Sequence, residues 1–420
     1  MSTILAFVSL LAIGVPVALV LAITAFVYII ASGQPVLLQS FSQQFFSGIE
    51  SYGLLAIPLF MLAGELMSEG GITARLVAFA SVFIGRVRGG LAYINVLVNM
   101  LIAAIIGSAA AQIAVMSRTM VPDMEAKGYD RTFATATTAA GGLLSPIIPP
   151  SMLFVIYGVL AQIAIGDLFL AGIVPGLLMA AGFFATIAVI GRFRELPRSE
   201  TMSVGERLRA LGGGLPTLLI PFVVVGGIVG GFASPTESAA LSSVAAFVLG
   251  TVVYRTLSLR RLPHILRQTA VNTAIVVFIV ATANVFGWVV IYEQLPQRLA
   301  GELTSLTSSP FVFLLLVTGI LLLVGMIIDG IAALILVVPI LLPIAQDSYG
   351  IDAYHFGVIV CLNLVLGLLT PPVGTGLFVA TAMTGVKPGP LFVALLPFLG
   401  TTVAVLLLII WQPGLVAVFR

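Results

Sequence analysis

The chain has 420 residues, of which 60% are hydrophobic and only 8% charged, with a formal net charge of +2. Soluble domains carry roughly 25% charged residues, so a water-soluble globular protein is excluded, and nothing supports nucleic-acid binding. The single cysteine, Cys361, lies in an apolar run, which rules out an intramolecular disulfide and a thiolate metal cluster.

Charge-free stretches run between Arg88 and Arg118, Arg131 and Asp167, Arg209 and Glu237, Arg267 and Glu293, Glu302 and Asp329, and Lys387 and Arg420. Each is long enough for a spanning helix of about 20 residues. Residues 3–31 are apolar around Gly14-Val15-Pro16 and make one kinked span or two short ones. No basic residue precedes them and no clean cleavage pattern follows, so they read as retained helix, not signal peptide. Residues 32–50 are polar, and 51–68 form a span ending near Glu65 and Glu69. Residues 74–88 are amphipathic, with Leu76, Phe79, Phe83 and Val87 on one face and Arg75, Arg86 and Arg88 at the ends, as suits a helix lying along the membrane surface.

Residues 90–122 are apolar but interrupted at Gly107-Ser108 and closed by Arg118 and Pro122, which predicts a re-entrant hairpin with its tip at 107–112. Residues 131–160 contain Gly142-Leu143-Leu144-Ser145-Pro146 running into Pro149-Pro150-Ser151. Prolines remove backbone donors and clash with the preceding turn, so this is a broken span. A span at 166–191 follows, then a hydrophilic connector at 192–214. The second half is expected to run 215–232, 235–254 and 264–292, then a hairpin at 310–344, a broken span at 353–384 and a last span at 388–411. Trp288, Tyr292 and Trp411 suit the aromatic belt.

The halves, 1–210 and 211–420, align by hand. Ser108 falls on Asp329 and Pro122 on Pro343 at an offset of 221, and Gly-Leu-Leu-Ser-Pro at 142–146 falls on Gly-Leu-Leu-Thr-Pro at 367–371 at 225. Leu168-Phe169 matches Leu391-Phe392 at 223 and Pro175 matches Pro397 at 222. Nine of the eighteen basic residues lie in the connector and the 255–267 loop, which the positive-inside bias places in the cytoplasm. The second hairpin then enters from the periplasm and the first, flanked by Arg86, Arg88, Lys127 and Arg131, from the cytoplasm. The fold class is therefore an all-α polytopic membrane protein of two inverted repeats with two re-entrant hairpins and two broken helices, its binding site at mid-membrane.

Asp329, in Met326-Ile327-Ile328-Asp329-Gly330, is an acid deep in an apolar run. Such a group costs about 2.5–3.5 kcal/mol to insert, so it reads as a cation ligand or proton acceptor, with a helix-cap role compatible with either. At the matching tip, Gly107, Ser108 and Ala109 are small enough for a ligand to approach the backbone, and helix N-termini there favour a carboxylate. Backbone carbonyls with the Ser145, Thr370 and Thr375 hydroxyls suit sodium, a hard cation that takes oxygen ligands. Gln112 and Asn363 are polar groups in apolar surroundings that serve the site or a helix–helix hydrogen bond. Glu237, after Ser234-Pro235-Thr236, and Asp167 read as helix-start acids; His264 and His355 read as interfacial.

Several phrases carry a resemblance: Ile57-Pro58-Leu59-Phe60-Met61-Leu62-Ala63-Gly64-Glu65-Leu66-Met67; Pro149-Pro150-Ser151 leading to Tyr157-Gly158; Ile165-Gly166-Asp167-Leu168-Phe169; Ala171-Gly172-Ile173-Val174-Pro175-Gly176; Ser234-Pro235-Thr236-Glu237-Ser238-Ala239-Ala240; and Asp329 to Pro343. Across essentially its whole length the chain resembles the large membrane subunit of tripartite ATP-independent periplasmic (TRAP) transporters. The resemblance implies an elevator-type, sodium-coupled secondary transporter in the bacterial inner membrane, with scaffold and transport domains interleaved across both halves. It implies a small membrane subunit of about four helices, a periplasmic substrate-binding protein, an organic acid (dicarboxylate, keto acid or sialic acid) as substrate, and no cofactor beyond Na⁺. Carried over, the substrate candidates are Ser108, Ala109, Gln112, Ser145, Pro150, Ser151 and Thr375. The sodium candidates are Gly107, Ser108, Gly142, Ser145, Asp329, Gly330, Thr370 and Gly374. Many relatives carry an acid where Gln112 stands. The alternative is a stand-alone Na⁺/dicarboxylate carrier of related architecture. An enzyme is disfavoured: an aspartyl protease needs a second membrane aspartate and Asp130 lies in a charged loop, while no HExxH motif is present.

Overall fold

A computed structural model describes residues 2–33, 36–83, 87–198 and 203–419. Arg86, used above for orientation, lies outside them. Every regular element among the described residues is helical. Among the described residues seven helices are long and apolar enough to cross a membrane, and an eighth is added if Leu295–Leu306 and Pro310–Gly325, bent by 118°, are counted together. The protein is a multi-pass membrane protein.

The N-terminal stretch resolves into two helices, Ser2–Ala12 and Val17–Ala31, broken at Gly14 with φ +77 and Pro16. The expected surface helix is Ile72–Phe83; Leu76 and Phe79 are buried as the amphipathic face requires, but Phe83 and Val87 are exposed. Helix formation restarts inside the connector at Val204 and runs to Val229, earlier than the expected 215. The cause is local: Ser203 and Glu206 form a reciprocal capping box, the S-x-x-E signature of a helix start. Three glycines at 212–214 do not break this helix, and Gly214 lets it close onto Phe79. Leu295–Leu306 was not foreseen; Leu299 and Leu303 face the core while Arg298 and Glu302 face outward.

The first hairpin has arms Gly90–Ile106 and Ala109–Ala126, and the second Pro310–Gly325 and Gly330–Pro343. The first broken span is Arg131–Gly142 and Met152–Leu160, and the second Ala353–Leu368 and Thr375–Thr384. Both broken spans start on an aspartate cap: Asp130 accepts from Phe133 N–H at 2.8 Å, and Asp352 from Tyr354 N–H at 2.9 Å. Each hairpin packs on the broken span of its own half, and the halves also interlock. Thr375–Thr384 lies against the first hairpin's second arm, and the second hairpin's second arm lies against Met152–Leu160. Around this inner block stand Ala56–Glu69, packed on Pro235–Val248, and Leu262–Tyr292, packed on Val17–Ala31 and Leu37–Ser47.

Lipid is as apolar as a leucine side chain, so these helices associate through close packing, small residues and hydrogen bonds. Gly367 makes the tightest backbone approach among the described glycines, since an added Cβ would lie 2.4 Å from the Gly325 carbonyl carbon. Tyr157, fully buried, donates to the Ala353 carbonyl at 2.6 Å and ties the two broken spans together. At the frame, Arg261 meets Glu69 at 2.6 Å, Arg75 stacks over Tyr254, and Tyr28 donates to Glu293 at 2.5 Å. His355 is buried in the first turn of Ala353–Leu368 and bonds the Ile409 carbonyl at 2.9 Å. Gly367→Ala should lower the melting temperature of the purified protein, overpacking of this kind costing about 1–3 kcal/mol. A melting curve that superimposes on wild type would contradict so close a contact.

Candidate functional site

The two hairpin tips are each tied to a helix break. Gly107 takes φ +63, and its carbonyl accepts from Met152 N–H at 3.2 Å. A Cβ at Gly107 would lie 3.1 Å from the Pro150 carbonyl oxygen, so glycine serves both the left-handed turn and the approach. In the other half the Met326 carbonyl accepts from Val373 and Gly374 N–H, at 3.1 Å each. Pro149–Pro150 and Pro371–Pro372 are both cis.

Between the tips lies a cavity of about 60 Å³ lined by Gly107, Ser108, Ala109, Ala110, Pro146, Met152, Leu153, Asp329, Gly330, Ile331, Leu364, Val365 and Leu368. Three helices begin on its wall, at Ala109, Met152 and Gly330. A helix N-terminus presents unpaired N–H groups and about half a positive charge. Among the described residues Asp329 is the only charged one on that wall, and its carboxylate accepts from Ile331 N–H at 3.1 Å as a helix cap. The fourth contribution is the C-terminal part of Ala353–Leu368, whose carbonyl end carries the opposite polarity.

Of the residues expected from sequence, Gly107, Ser108, Ala109, Asp329 and Gly330 line this cavity. Ser151 stands at its edge as the cap of Met152–Leu160, accepting from Phe154 N–H at 3.2 Å and donating to the Pro146 carbonyl at 2.5 Å. Thr370 donates to the Leu366 carbonyl at 2.7 Å, and Gly374, with Thr375 after it, opens the last piece of the second broken span. Pro150 faces Gly107 through its carbonyl, and Gly142 abuts Ile113. Ser145 is fully buried and its hydroxyl meets no partner among the described residues. Gln112 is also fully buried and bonds Asn99. Gly142, Ser145, Pro150, Ser151, Gln112, Thr370, Gly374 and Thr375 are not on the cavity wall.

A larger cleft of about 370 Å³ adjoins it and shares Ser108 and Met152 as wall. Its other lining includes Met61, Gly64, Glu65 and Ser68 of Ala56–Glu69, Ala111 and Val115 of the hairpin, and Asn272, Ile275 and Val276 of Leu262–Tyr292. Sequence reasoning read Glu65 only as the end of a span, paired with a basic group or lying at the interface, and passed over Ser68 and Asn272. Their signal is faint, a polar residue near the end of an otherwise ordinary span. Glu237 forms the expected capping box with Ser234.

Asparagine caps a helix as well as aspartate does, whereas alanine forfeits about 0.5–2 kcal/mol. Asp329→Ala should therefore melt lower than wild type in sodium-free buffer while Asp329→Asn does not. Equal melting of all three would remove the cap.

The chain matches the family described as "Tripartite ATP-independent periplasmic transporter, DctM component" over residues 4–415. It is 38% identical over 407 residues to the sialic acid TRAP transporter large permease protein SiaM of Vibrio cholerae serotype O1, covering 97% of this chain and 95% of that protein. It is 37% identical to the C4-dicarboxylate TRAP transporter large permease protein DctM of Pseudomonas aeruginosa, covering 90% and 88%. It is 35% identical to the isethionate TRAP transporter permease protein DctMQ of Oleidesulfovibrio alaskensis, covering 97% of this chain and 64% of that protein. Among solved structures, the Alcanivorax borkumensis YdaH transporter aligns with a TM-score of 0.67 at 16% identity, over 91% of this chain and 89% of that one, a likeness of fold.

Proposed function

The chain belongs to the DctM family of tripartite ATP-independent periplasmic transporters, and we propose that it is the translocating subunit of a sodium-coupled importer of an organic acid. The observation that carries the reading is the convergence of three helix N-termini on a cavity that also holds Asp329. Those ends suit a carboxylate. Each contributes about 0.3–1 kcal/mol, up to ~2 when partly buried. Desolvating a carboxylate costs several kcal/mol, and among the described residues no basic one lines the wall. Asp329 adds like-charge repulsion. Three dipoles alone do not offset both terms, and a sodium ion beside Asp329 and the nearby carbonyls does.

Size divides the site. Ligand pockets for drug-sized molecules run about 300–1,000 Å³, so the 60 Å³ cavity takes a carboxylate and an ion, not a whole organic acid. The remainder lies in the 370 Å³ cleft reached past Ser108 and Met152, within reach of Ser68 and Asn272. That cleft separates the hairpins and broken spans from the surrounding helices. In this reading the inner block is the moving transport domain and the helices around it are the scaffold. The halves are inverted repeats, and the motion is an elevator stroke across the bacterial inner membrane. A small membrane subunit completes the scaffold and a periplasmic binding protein delivers the acid; the named substrates of the relatives, sialic acid, C4-dicarboxylate and isethionate, bound the class.

In proteoliposomes holding the chain and its small partner, uptake should need both a sodium gradient and the binding protein. Asp329→Asn should abolish sodium stimulation with insertion intact, and Ser108→Tyr should block uptake by filling the shared wall. Sodium-independent uptake by wild type, or unchanged sodium dependence in Asp329→Asn, would defeat the coupling reading. Uptake without the binding protein would favour a stand-alone carrier.

A further inference from the structure

Ile165–Phe193 and Pro388–Trp411 pack on each other and on pieces of both broken spans. A groove of about 570 Å³ runs between them, walled by Gly182, Ala185 and Val189 on one helix and by Pro397, Thr401 and Ala404 on the other. Ala185, Val189, Pro397 and Ala404 are exposed, so the groove opens outward. The helices meet closely at one point, where an added Cβ on Gly182 would lie 2.3 Å from Thr401 Cγ2. The floor calls for no polar guest. The Thr186 and Thr401 hydroxyls lie 2.6 Å apart, with the Gly182 and Pro397 carbonyls at 2.9 and 3.0 Å, so one hydroxyl donates to the other and the second to its own helix.

The far end differs. The groove finishes at Phe193 and Arg194, where the chain enters the connector that the positive-inside bias places in the cytoplasm. Gly182 and Arg194 are twelve positions apart, about 18 Å of helix. One leaflet's hydrocarbon is about 15 Å thick, so the groove runs the depth of a leaflet and ends at headgroup level. Residues 192–198 hold Arg192, Arg194 and Arg198 against one acid, Glu195. This stretch is pinned: Gly89 N–H donates to the Pro197 carbonyl at 3.0 Å, and Leu196 lies against Gly89. Arg88 and Arg198 face each other in an isolated antiparallel bridge, a like-charge pairing that an anion relieves. None of Arg88, Arg192, Arg194 and Arg198 meets a carboxylate among the described residues.

We propose that this groove seats one acyl chain of an anionic phospholipid from the cytoplasmic leaflet, with the lipid phosphate on Arg194. An apolar trough that ends in an unpaired guanidinium fits a molecule with a chain and an acidic head in that order. A guanidinium holds phosphate through two parallel N–H bonds, and basic pockets between spans on the cytoplasmic side take such heads. The inference needs neither sodium nor the elevator. If the inner block moves as proposed above, both helices and their lipid move with it.

The test is thermal melting of the purified full chain in neutral detergent, titrated with phosphatidylglycerol or with phosphatidylcholine of the same chains. Phosphatidylglycerol should raise the melting temperature saturably and phosphatidylcholine should not. Arg194→Gln should raise the phosphatidylglycerol concentration for half-maximal stabilisation about fivefold, the weight of one basic residue at an anionic surface. Ala185→Phe, at an exposed position on the wall, should abolish the saturable rise by filling the groove, and Ala404→Phe should do so from the opposite wall if the first variant already melts low without lipid. Arg260→Gln, on the other cytoplasmic loop, should leave the midpoint unchanged. Equal stabilisation by the two lipids, a wild-type midpoint in Arg194→Gln, or a saturable rise that survives both phenylalanines overturns the proposal. So does a fivefold shift in Arg260→Gln, which would mean that the whole basic rim acts by charge alone. The same rise with glycerol phosphate would mean that a head binds without a chain, and its loss on adding the small membrane subunit would give the groove to that subunit; either overturns the lipid assignment. None of these outcomes touches the sodium-coupled reading.

Discussion

A helix that stops inside a membrane leaves N–H and C=O groups that lipid cannot satisfy, and the inner half of this protein is built around that constraint. Each break is met by the hairpin tip of its own half: Gly107 carbonyl to Met152 N–H, Met326 carbonyl to Val373 and Gly374 N–H. These bonds satisfy some of the orphaned groups and leave others facing the space between the tips. The same constraint thus creates the architecture and the cavity between the tips. Capping by Ser151 and Asp329 consumes further donors but leaves the helix dipoles directed at the cavity.

The halves are also dependent on one another. Thr375–Thr384 leans on the first hairpin, the second hairpin leans on Met152–Leu160, and Tyr157 bonds across to Ala353. A cavity assembled from both halves can sense a ligand with both at once. The inner block meets the surrounding helices across the cleft and at such points as Gly287 against Pro339.

Much of this was legible in the chain. Proline and glycine punctuation located both breaks and both hairpin tips, because those residues act through backbone geometry that needs no tertiary context. The lone Asp329 stood out because an acid in an apolar run is costly wherever it ends up. Leu295–Leu306 carries leucines at 295, 299, 303 and 306, a helical stripe that was open to reading, but the segment is too short and too polar to register as a span. Other features depended on packing. Asn95 and Asn99 sit four apart in an apolar run, a spacing that places them on one helix face, but their hydrogen bonds to Thr138 and Gln112 need the hairpin folded onto Arg131–Gly142. The cleft residues Ser68 and Asn272 come together only where two distant spans face the tip. Phe83 and Val87 followed helical spacing on paper, yet both are exposed.

The most direct measurement is a density map of the chain with its small partner, in sodium, with a transported acid bound. The account predicts the carboxylate within hydrogen-bonding distance of the backbone N–H groups that begin at Ala109, Met152 and Gly330, with an ion beside Asp329 and the body of the acid in the cleft past Ser108. An acid resolved away from all three helix starts, with the tip cavity closed around side chains alone, would contradict it.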